Sequence, residues 1–268
     1  MRSLPVLWLG LLLGVGCQRV TEFCDSDRQC PSGWICGAAD RCIPVPSGDG
    51  GPDDIAVFAP ASCREILTAN PQAEDGSYTL YVNHDPSKPW TALCNGMGSD
   101  GGPPTEYLTL LMGRDNFSQL APGVNAMGST VHTTYWSIRL DPVTLLIDAN
   151  DQRYASSNGG SVIVQNVPIT SMPYGVAAGC NLDRVNSMAH LNLIGTPFIV
   201  SSLFGRGVVG SVGQATPSQG GKVVSLTGGG GTMGEELPCG WVAEATGSAN
   251  LSLAQNPPTG PKIQLGYP

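Results

Sequence analysis

Charged residues are scarce in this chain, and basic residues are the scarcest. Asp, Glu, Lys and Arg make up 13% of the 268 residues, about half of the usual share. Only 13 residues are Lys or Arg, against 21 Asp or Glu, which gives a formal net charge of −8. Because nucleic acids and anionic lipid headgroups are bound through clustered basic side chains, and none cluster here, both are poor partners for this protein.

Long amphipathic helices and long apolar runs are also missing. The 36 glycines and 22 prolines together amount to roughly twice the usual share and favour turns over helices. The apolar run from Leu4 to Val15 is shorter than the roughly 20 residues that cross a bilayer. The composition therefore predicts a loop-rich, helix-poor chain, whose 41% hydrophobic residues can still fill a core.

Catalytic signatures are absent as well. The three histidines, His84, His132 and His190, include no His-Glu-x-x-His pair, which would place two zinc ligands on one helix face. No Gly-x-Ser-x-Gly elbow occurs. Residues 205–210 match Gly-x-Gly-x-x-Gly, but Pro217 and three glycines in the following segment exclude the helix that a dinucleotide site needs. We expect a non-catalytic protein, with a three-histidine site assembled by folding as the open alternative.

Carboxylates are common at predicted turns, where solvated turn residues are the default interpretation. A glycosidase needs two carboxylates held on opposite sides of a sugar, and the sequence alone does not show such a pair. A calcium-binding Asp-x-Asp-x-Asp-Gly loop is not present. The carboxylates considered are Asp85, Asp100, Asp141, Asp148 and Asp151.

The N-terminus is typical of an exported protein. Residues 1–16 combine Arg2, a short apolar stretch and small residues, which predicts a signal peptide. Cys17 after Gly-Val-Gly resembles a bacterial lipoprotein box, although Gly14 replaces the usual Leu. The resemblance implies lipidation of Cys17, a tether over residues 17–23 and a membrane partner through the lipid anchor. The alternative is an ordinary secretory signal, with Cys17 free or paired.

Localisation follows from the same segment. Gln18, in place of Asp after the cysteine, fits export to an outer membrane or cell surface, with a periplasmic or secreted protein as the alternative. The chain has nine cysteines, so a lipidated Cys17 leaves an even number, as suits disulfides in an oxidising compartment.

Residues 24–42 predict a small module that depends on cross-links. Cys24, Cys30, Cys36 and Cys42 follow one another at gaps of five residues, and so short a segment cannot bury enough apolar surface to fold alone. Four cysteines allow three pairings. The stretch resembles small knotted extracellular modules, which implies Cys24–Cys36 and Cys30–Cys42. A four-cysteine zinc site is the rival, but it usually has paired cysteines two to four residues apart.

A linker and one large domain follow. The composition of residues 43–60 predicts a flexible linker with stiffer Pro points. Ser62 and Glu65 form a capping box that predicts a short helix to about Thr68. The rest of residues 61–268 predicts an all-β fold, an irregular β-sandwich or barrel. The candidate strands are Ser77–Val82, Trp90–Cys94, Glu106–Leu111, Tyr135–Leu140, Val143–Asp148, Ser161–Val167, Ala189–Ile194, Phe198–Leu203, Lys222–Leu226, Trp241–Ala245 and Asn250–Leu253.

An ordered series of local motifs resembles a known family. In chain order the motifs are Ser62–Leu67, Glu74–Tyr81, Ala92–Cys94 with Met97, Glu106–Leu110, Asn116–Ser118, Ser137–Asp141 and His190–Gly195. The series is similar to the GON domain, found at the C-terminus of some secreted ADAMTS-type zinc metalloproteases, and covers most of residues 61–255. Asp75–Tyr78, Cys94 and Asp100–Gly102 also resemble fibrinogen-like domains. That second family continues into a Trp-rich segment, which is not found here.

The GON resemblance implies an accessory domain with roles in trafficking and matrix association. The chain departs from the family in keeping four cysteines in this domain, where animal GON domains carry more, and in lacking a metalloprotease catalytic domain. Zinc and metalloendopeptidase activity are therefore implied by family association only, and we predict no cofactor.

The sequence as a whole predicts an exported binding protein. We expect a non-catalytic domain for protein or matrix/glycan binding, held off the membrane by the cysteine module and the linker. A zinc-dependent hydrolase and a structural envelope protein are the alternatives. In the large domain we predict the disulfides Cys63–Cys94 and Cys180–Cys239.

Overall fold

The structure is a computed structural model. It describes residues 34–36, 42–44, 58–98, 102–123, 127–164, 166–181, 184–206, 212–230, 240–245, 258 and 260–268. Residues 34–36, 42–44, 206 and 240–245 are described by their backbone only. Contacts divide the chain into two compact units, Met1–Phe58 and Ala59–Pro268.

The described part of the first unit is a short antiparallel hairpin. Strands β1 (Trp34–Cys36) and β2 (Cys42–Pro44) pair so that Cys36 lies opposite Cys42. Cys24 and Cys30 lie outside the described residues. The pairing within the four-cysteine module therefore stays a prediction.

The second unit begins with the short helix that the capping box predicts. Helix α1 spans Cys63–Ala69, and the Ser62 Oγ accepts the Glu65 N–H at 3.3 Å. Glu65 Oε2 accepts the N–H of Ala61 at 2.9 Å, one residue before the usual partner in a capping box. These bonds satisfy N–H groups that a helix start leaves open, so the local sequence alone determines where α1 begins.

Apart from the short 3₁₀ helices Val82–His84, Gly113–Asp115 and Gln219–Gly221, the remaining described elements are strands, which confirms the all-β prediction. They are β3 (Gly76–Tyr81), β4 (Pro89–Asn95), β5 (Thr105–Thr109), β6 (Phe117–Ala121), β7 (Val131–Tyr135), β8 (Ser137–Leu140), β9 (Leu146–Asp148), β10 (Ala155–Ser157), β11 (Val162–Val164), β12 (Val167–Ile169), β13 (Ala177–Gly179), β14 (Val185–Asn192), β15 (Ile199–Val200), β16 (Phe204–Arg206), β17 (Val212–Ser218), β18 (Val223–Gly229), β19 (Gly240–Ala245) and β20 (Lys262–Gly266).

Two sheets hold most of these strands. One has nine strands in the order β16-β19-β13-β6-β14-β18-β17, with β7 paired to β6 and β10 paired to β7. The other has seven strands in the order β15-β20-β9-β8-β5-β4-β3. Nearly all pairs are antiparallel, and β13 with β6 is the parallel exception among the described pairs. Strands β11 and β12 form a separate hairpin.

The two sheets share one core, as in a β-sandwich. Leu80, Trp90 and Leu108 from the seven-stranded sheet belong to the same buried cluster as Leu191 and Leu226 from the nine-stranded sheet. A smaller cluster lies under the β11–β12 hairpin, where its apolar side chains pack with those of β6, β7 and β13. The sandwich is irregular because this hairpin and the parallel strand interrupt its larger sheet.

Several predicted strands are wrong in their extent. Val143–Asp148 is a strand only from Leu146, and Phe198–Leu203 only at Ile199–Val200. The predicted strand Asn250–Leu253 lies outside the described residues.

Tyr135–Leu140 is not one strand, because the chain leaves the nine-stranded sheet after β7 and enters the seven-stranded sheet at β8, with Trp136 between them. Ser161–Val167 is the first part of the β11–β12 hairpin, whose turn contains Asn166 at φ 64°. Asn readily adopts this left-handed conformation, so the apolar run folds back on itself.

Candidate functional site

Six adjacent strands of the nine-stranded sheet carry no charged residue. In the order in which they pair, these strands are β10, β7, β6, β14, β18 and β17, and none contains Asp, Glu, Lys or Arg. The seven-stranded sheet differs, since it carries Glu106, Arg139, Asp148 and Lys262. The uncharged strands of the fold are thus grouped together in the nine-stranded sheet.

The strand register aligns one side chain from each of these strands in a continuous row. We call this set the neutral row: Ser156, Thr134, Phe117, His190, Ser225 and Thr216. All six are half-buried or exposed, and in the four inner strands, β7, β6, β14 and β18, the residues next to them in sequence are buried. Because successive side chains of a strand point to opposite faces, the neutral row lies on the face away from the shared core.

Three aromatic rings meet in the middle of this face. The Phe117 ring lies 4.7 Å from that of His132 and 6.2 Å from that of His190, at interplanar angles of 22° and 23°. Phe117 is on the middle strand of the three, between β7 and β14. We call these three residues the ring cluster.

Gln119 fixes the protonation pattern of the first imidazole. Its Oε1 accepts the backbone N–H of Met188 at 3.3 Å, so its Nε2 is left to donate to the Nδ1 of His132 at 2.9 Å. An accepting Nδ1 requires that the proton of neutral His132 sit on Nε2. Partial burial of the ring also holds the pKa of His132 below its usual value. His132 therefore presents an N–H donor at neutral pH.

His190 has the opposite arrangement. Its Nδ1 lies 2.6 Å from the carbonyl oxygen of Asp115, and a carbonyl can only accept. The Nδ1 therefore carries the proton, and Nε2 of neutral His190 is an acceptor. No described residue forms a hydrogen bond with the Nε2 of either imidazole, so the ring cluster presents one donor and one acceptor.

Trp136 forms a second exposed feature next to this face. Its backbone N–H donates to the Tyr154 carbonyl at 3.0 Å, and its carbonyl accepts the Leu110 N–H at 2.8 Å. These bonds fix Trp136 where the chain passes between the sheets, two residues beyond Thr134. The indole lies against Gly113, where an added Cβ would come within 2.8 Å of the indole Cδ1. The side chain remains 47% exposed, so a rigid backbone holds a half-exposed aromatic ring.

The bonding of His132 predicts its titration. We expect the pKa of His132 to lie below the ordinary value of about 6.5, with the Nε2–H tautomer dominant above it. Because the folded chain resists protonation, the imidazole should oppose folding as the pH falls below 6.5 and make no such contribution above it. Two-dimensional ¹⁵N NMR of the imidazole reports both properties. Nδ1–H as the main tautomer would contradict the Gln119 assignment, and a pKa above 6.5 would contradict the effect of burial.

The structure places the cysteines of the large domain as follows. The predicted Cys63–Cys94 disulfide is confirmed, with a Cα–Cα distance of 5.7 Å and both residues buried. Cys180 is buried and disulfide-bonded, but its predicted partner Cys239 lies outside the described residues. The Cys180–Cys239 pairing therefore stays a prediction. Cys17 also lies outside the described residues.

The described histidines and carboxylates do not come together as a metal site, and Asp100 lies outside the described residues. Among the described residues no group of three or more His, Cys, Asp or Glu side chains could hold a metal ion. His84 lies near α1, with its Nδ1 3.0 Å from the Ala59 carbonyl, whereas the other two histidines share the ring cluster. Asp141 accepts backbone N–H groups of its own turn. Asp148 and Asp151 lie 3.6 and 3.8 Å from Arg139.

The sequence motifs did not reveal the ring cluster. Alternation gave no usable signal either, because the sequences Val-His-Thr-Thr-Tyr and Phe-Ser-Gln-Leu-Ala contain polar residues on both faces, and the polar Thr133 and Ser118 are buried. His132 is half-buried on β7. Its neighbours on β6 and β14 depend on the sheet topology, which local pattern does not give.

Comparisons with protein-family models, with curated proteins and with solved structures found no match. The resemblances to GON and fibrinogen-like domains therefore stay predictions. Within the ranges that the structure describes, no helix is both long enough and apolar enough to cross a membrane.

Proposed function

We propose that this chain is an exported, lipid-anchored surface protein whose second unit, Ala59–Pro268, is a non-catalytic binding module for a glycan or a protein. The observation that carries the proposal is the neutral row with its ring cluster: an exposed, uncharged face on a rigid sheet. The GON resemblance adds an accessory, matrix-associated role.

The chemistry of this face suits binding better than catalysis. Its side chains are hydroxyls, an amide, imidazoles, a phenyl ring and the exposed thioether of Met188, which recognise a ligand by hydrogen bonds and packing. The strands hold these groups in place before a ligand arrives, which reduces the conformational entropy lost on binding. Because this face carries no charged side chain, a ligand that covers it does not have to remove water from a charged group.

The sequence before this unit supports the cellular part of the proposal. A signal peptide, a lipidated Cys17, the four-cysteine module and the linker would present the binding unit away from an outer membrane or cell surface. A periplasmic or secreted protein without the lipid would present the same face to a soluble ligand.

Binding to arrays of glycans and of matrix proteins tests the proposal with the purified full chain. We expect saturable binding to at least one array component, weakened about tenfold or more by Phe117→Ala because the central ring of the cluster is lost. Val143→Ala is the matched control, since Val143 is an exposed apolar residue in a turn that precedes β9. No saturable ligand on either array would support the structural-envelope alternative. Stoichiometric zinc together with substrate turnover would support the hydrolase alternative.

A further inference from the structure

We propose that the ligand is a neutral, polyhydroxylated glycan, which lies along the neutral row and places one sugar ring against Trp136. This inference rests on the proposed function and narrows it to one ligand class. Neither the sequence motifs nor the GON resemblance distinguishes a glycan from a protein ligand.

The distribution of charge favours a neutral ligand. The six strands carry no charged residue, and the turn Gly113–Asp115 beside them carries one charge of each sign, on Arg114 and Asp115. A carboxylate or ammonium group bound along the six strands would lose water without gaining an opposite charge from them, which is costly. A neutral ligand does not incur that penalty.

The hydrogen-bonding groups match hydroxyls in particular. A sugar hydroxyl both donates and accepts, and the ring cluster offers an Nε2–H donor on His132 and an Nε2 acceptor on His190. Thr134 and Ser225, on either side in the neutral row, carry hydroxyls that can take either role. Both imidazole tautomers are fixed by bonds to the protein, so the face is prepared for a ligand with hydroxyls in both roles.

Trp136 supplies the apolar part of sugar recognition. The C–H groups on one side of a pyranose ring form a flat apolar surface that packs on an aromatic ring. The indole is supported by Gly113 beneath it and by backbone bonds on both sides. A ring held in this way loses little conformational entropy when a sugar packs against it.

A protein ligand fits this face less well. Protein interfaces obtain most of their affinity from large apolar and Arg side chains at their centre. The neutral row contains one large apolar residue, Phe117, and four hydroxyl side chains. Hydroxyl groups are expensive to desolvate unless each is matched by a partner, and a polyhydroxylated chain matches them repeatedly.

Affinity electrophoresis of the full chain tests the inference. The probes are laminarin, dextran and galactomannan as neutral polysaccharides, with alginate and chitosan as acidic and basic ones. We expect at least one neutral polysaccharide to retard the protein, and neither charged one to do so. Retardation by alginate or chitosan alone, or by no polysaccharide, would overturn the glycan inference. A protein ligand found on the arrays would leave the proposed function standing in that case.

Three variants locate the site. Trp136→Ala removes the stacking ring, and His190→Phe keeps an aromatic ring beside Phe117 but removes the acceptor; each should weaken retardation about tenfold or more. His84→Asn, at the histidine outside the ring cluster, should change nothing. Circular dichroism and the unfolding midpoint confirm that each variant is folded. Unchanged binding in both face variants would overturn the inference, as would a dimer that both variants dissociate, because a second copy would then occupy the face.

Discussion

Replacing Asn116 by alanine is expected to lower the free energy of unfolding by about 4 kcal/mol. Asn116 is fully buried and uses its whole hydrogen-bonding capacity. Its Oδ1 accepts the Tyr174 hydroxyl at 2.8 Å and the Asn192 N–H at 2.7 Å, and its Nδ2 donates to the carbonyls of Met112 and Asn192, both at 3.0 Å. Alanine would leave the buried Tyr174 hydroxyl and the N–H and carbonyl of Asn192 without these bonds, whereas the Met112 carbonyl still accepts the Asp115 N–H at 2.9 Å.

The same substitution should also disturb the binding face. Asn116 links the turn Gly113–Asp115 to the end of β14, and that turn supports both Trp136 and the Asp115 carbonyl that bonds His190. Asn116-Phe-Ser118 also fits the acceptor pattern for N-glycosylation, but full burial of Asn116 implies that it cannot be glycosylated in the folded chain.

Urea unfolding measures the effect of Asn116→Ala. Asn70→Ala serves as the control, since Asn70 is exposed at the end of α1 and its Oδ1 accepts a single N–H, that of Gln72. The control should lose less than about 1 kcal/mol. A loss as small as this in Asn116→Ala would show that the buried network contributes little.

Removal of the Cys63–Cys94 disulfide, by Cys63→Ala with Cys94→Ala, is expected to cost about 3–4 kcal/mol in the chain-entropy model. The bond closes a loop over a sequence separation of 31 residues and joins the start of α1 to β4. The unfolded chain gains conformational freedom when the loop is opened, whereas the Cys63 N–H keeps its bond to Glu106 Oε1 at 2.8 Å.

Guanidinium unfolding of the double variant and of the oxidised wild type measures this difference in unfolding free energy. Wild-type protein with this bond reduced should match the double variant if loop closure is the main effect. An unfolding free energy within about 1 kcal/mol of the oxidised protein would contradict the assignment of this bond as a major stabilising cross-link.

Local patterns predicted the parts of the fold that depend on neighbouring residues. The capping box at Ser62 gave the start of α1, and alternating apolar residues gave strands close to β3, β4 and β5. These elements form where short-range hydrogen bonds and a single buried face decide the conformation.

The failures lie where tertiary context decides. Nothing in Tyr135-Trp-Ser-Ile-Arg-Leu marks the point at which the chain changes sheets, since Trp136 takes its hydrogen bonds from Tyr154 and Leu110. Strand β13, Ala177–Gly179, contains only small residues and was not predicted. It is a strand because it fits between β6 and β19.

The candidate site could be anticipated only in its composition. The scarcity of charged residues is visible in the sequence. That six uncharged strands lie side by side depends on pairings between distant segments, such as His190 with Phe117 and with Ser225. The two imidazole tautomers depend on Gln119 and on the Asp115 carbonyl. No local motif encodes contacts of this kind.

The central claim is that the uncharged face binds a neutral glycan, and chemical-shift mapping tests it most directly. A short oligosaccharide of the neutral polysaccharide that retards the chain most is titrated into ¹⁵N-labelled protein. We predict saturable shifts at the amides of the neutral row, at the imidazoles of His132 and His190 and at the indole N–H of Trp136. Shifts confined to the seven-stranded sheet, or no shifts, would contradict the account.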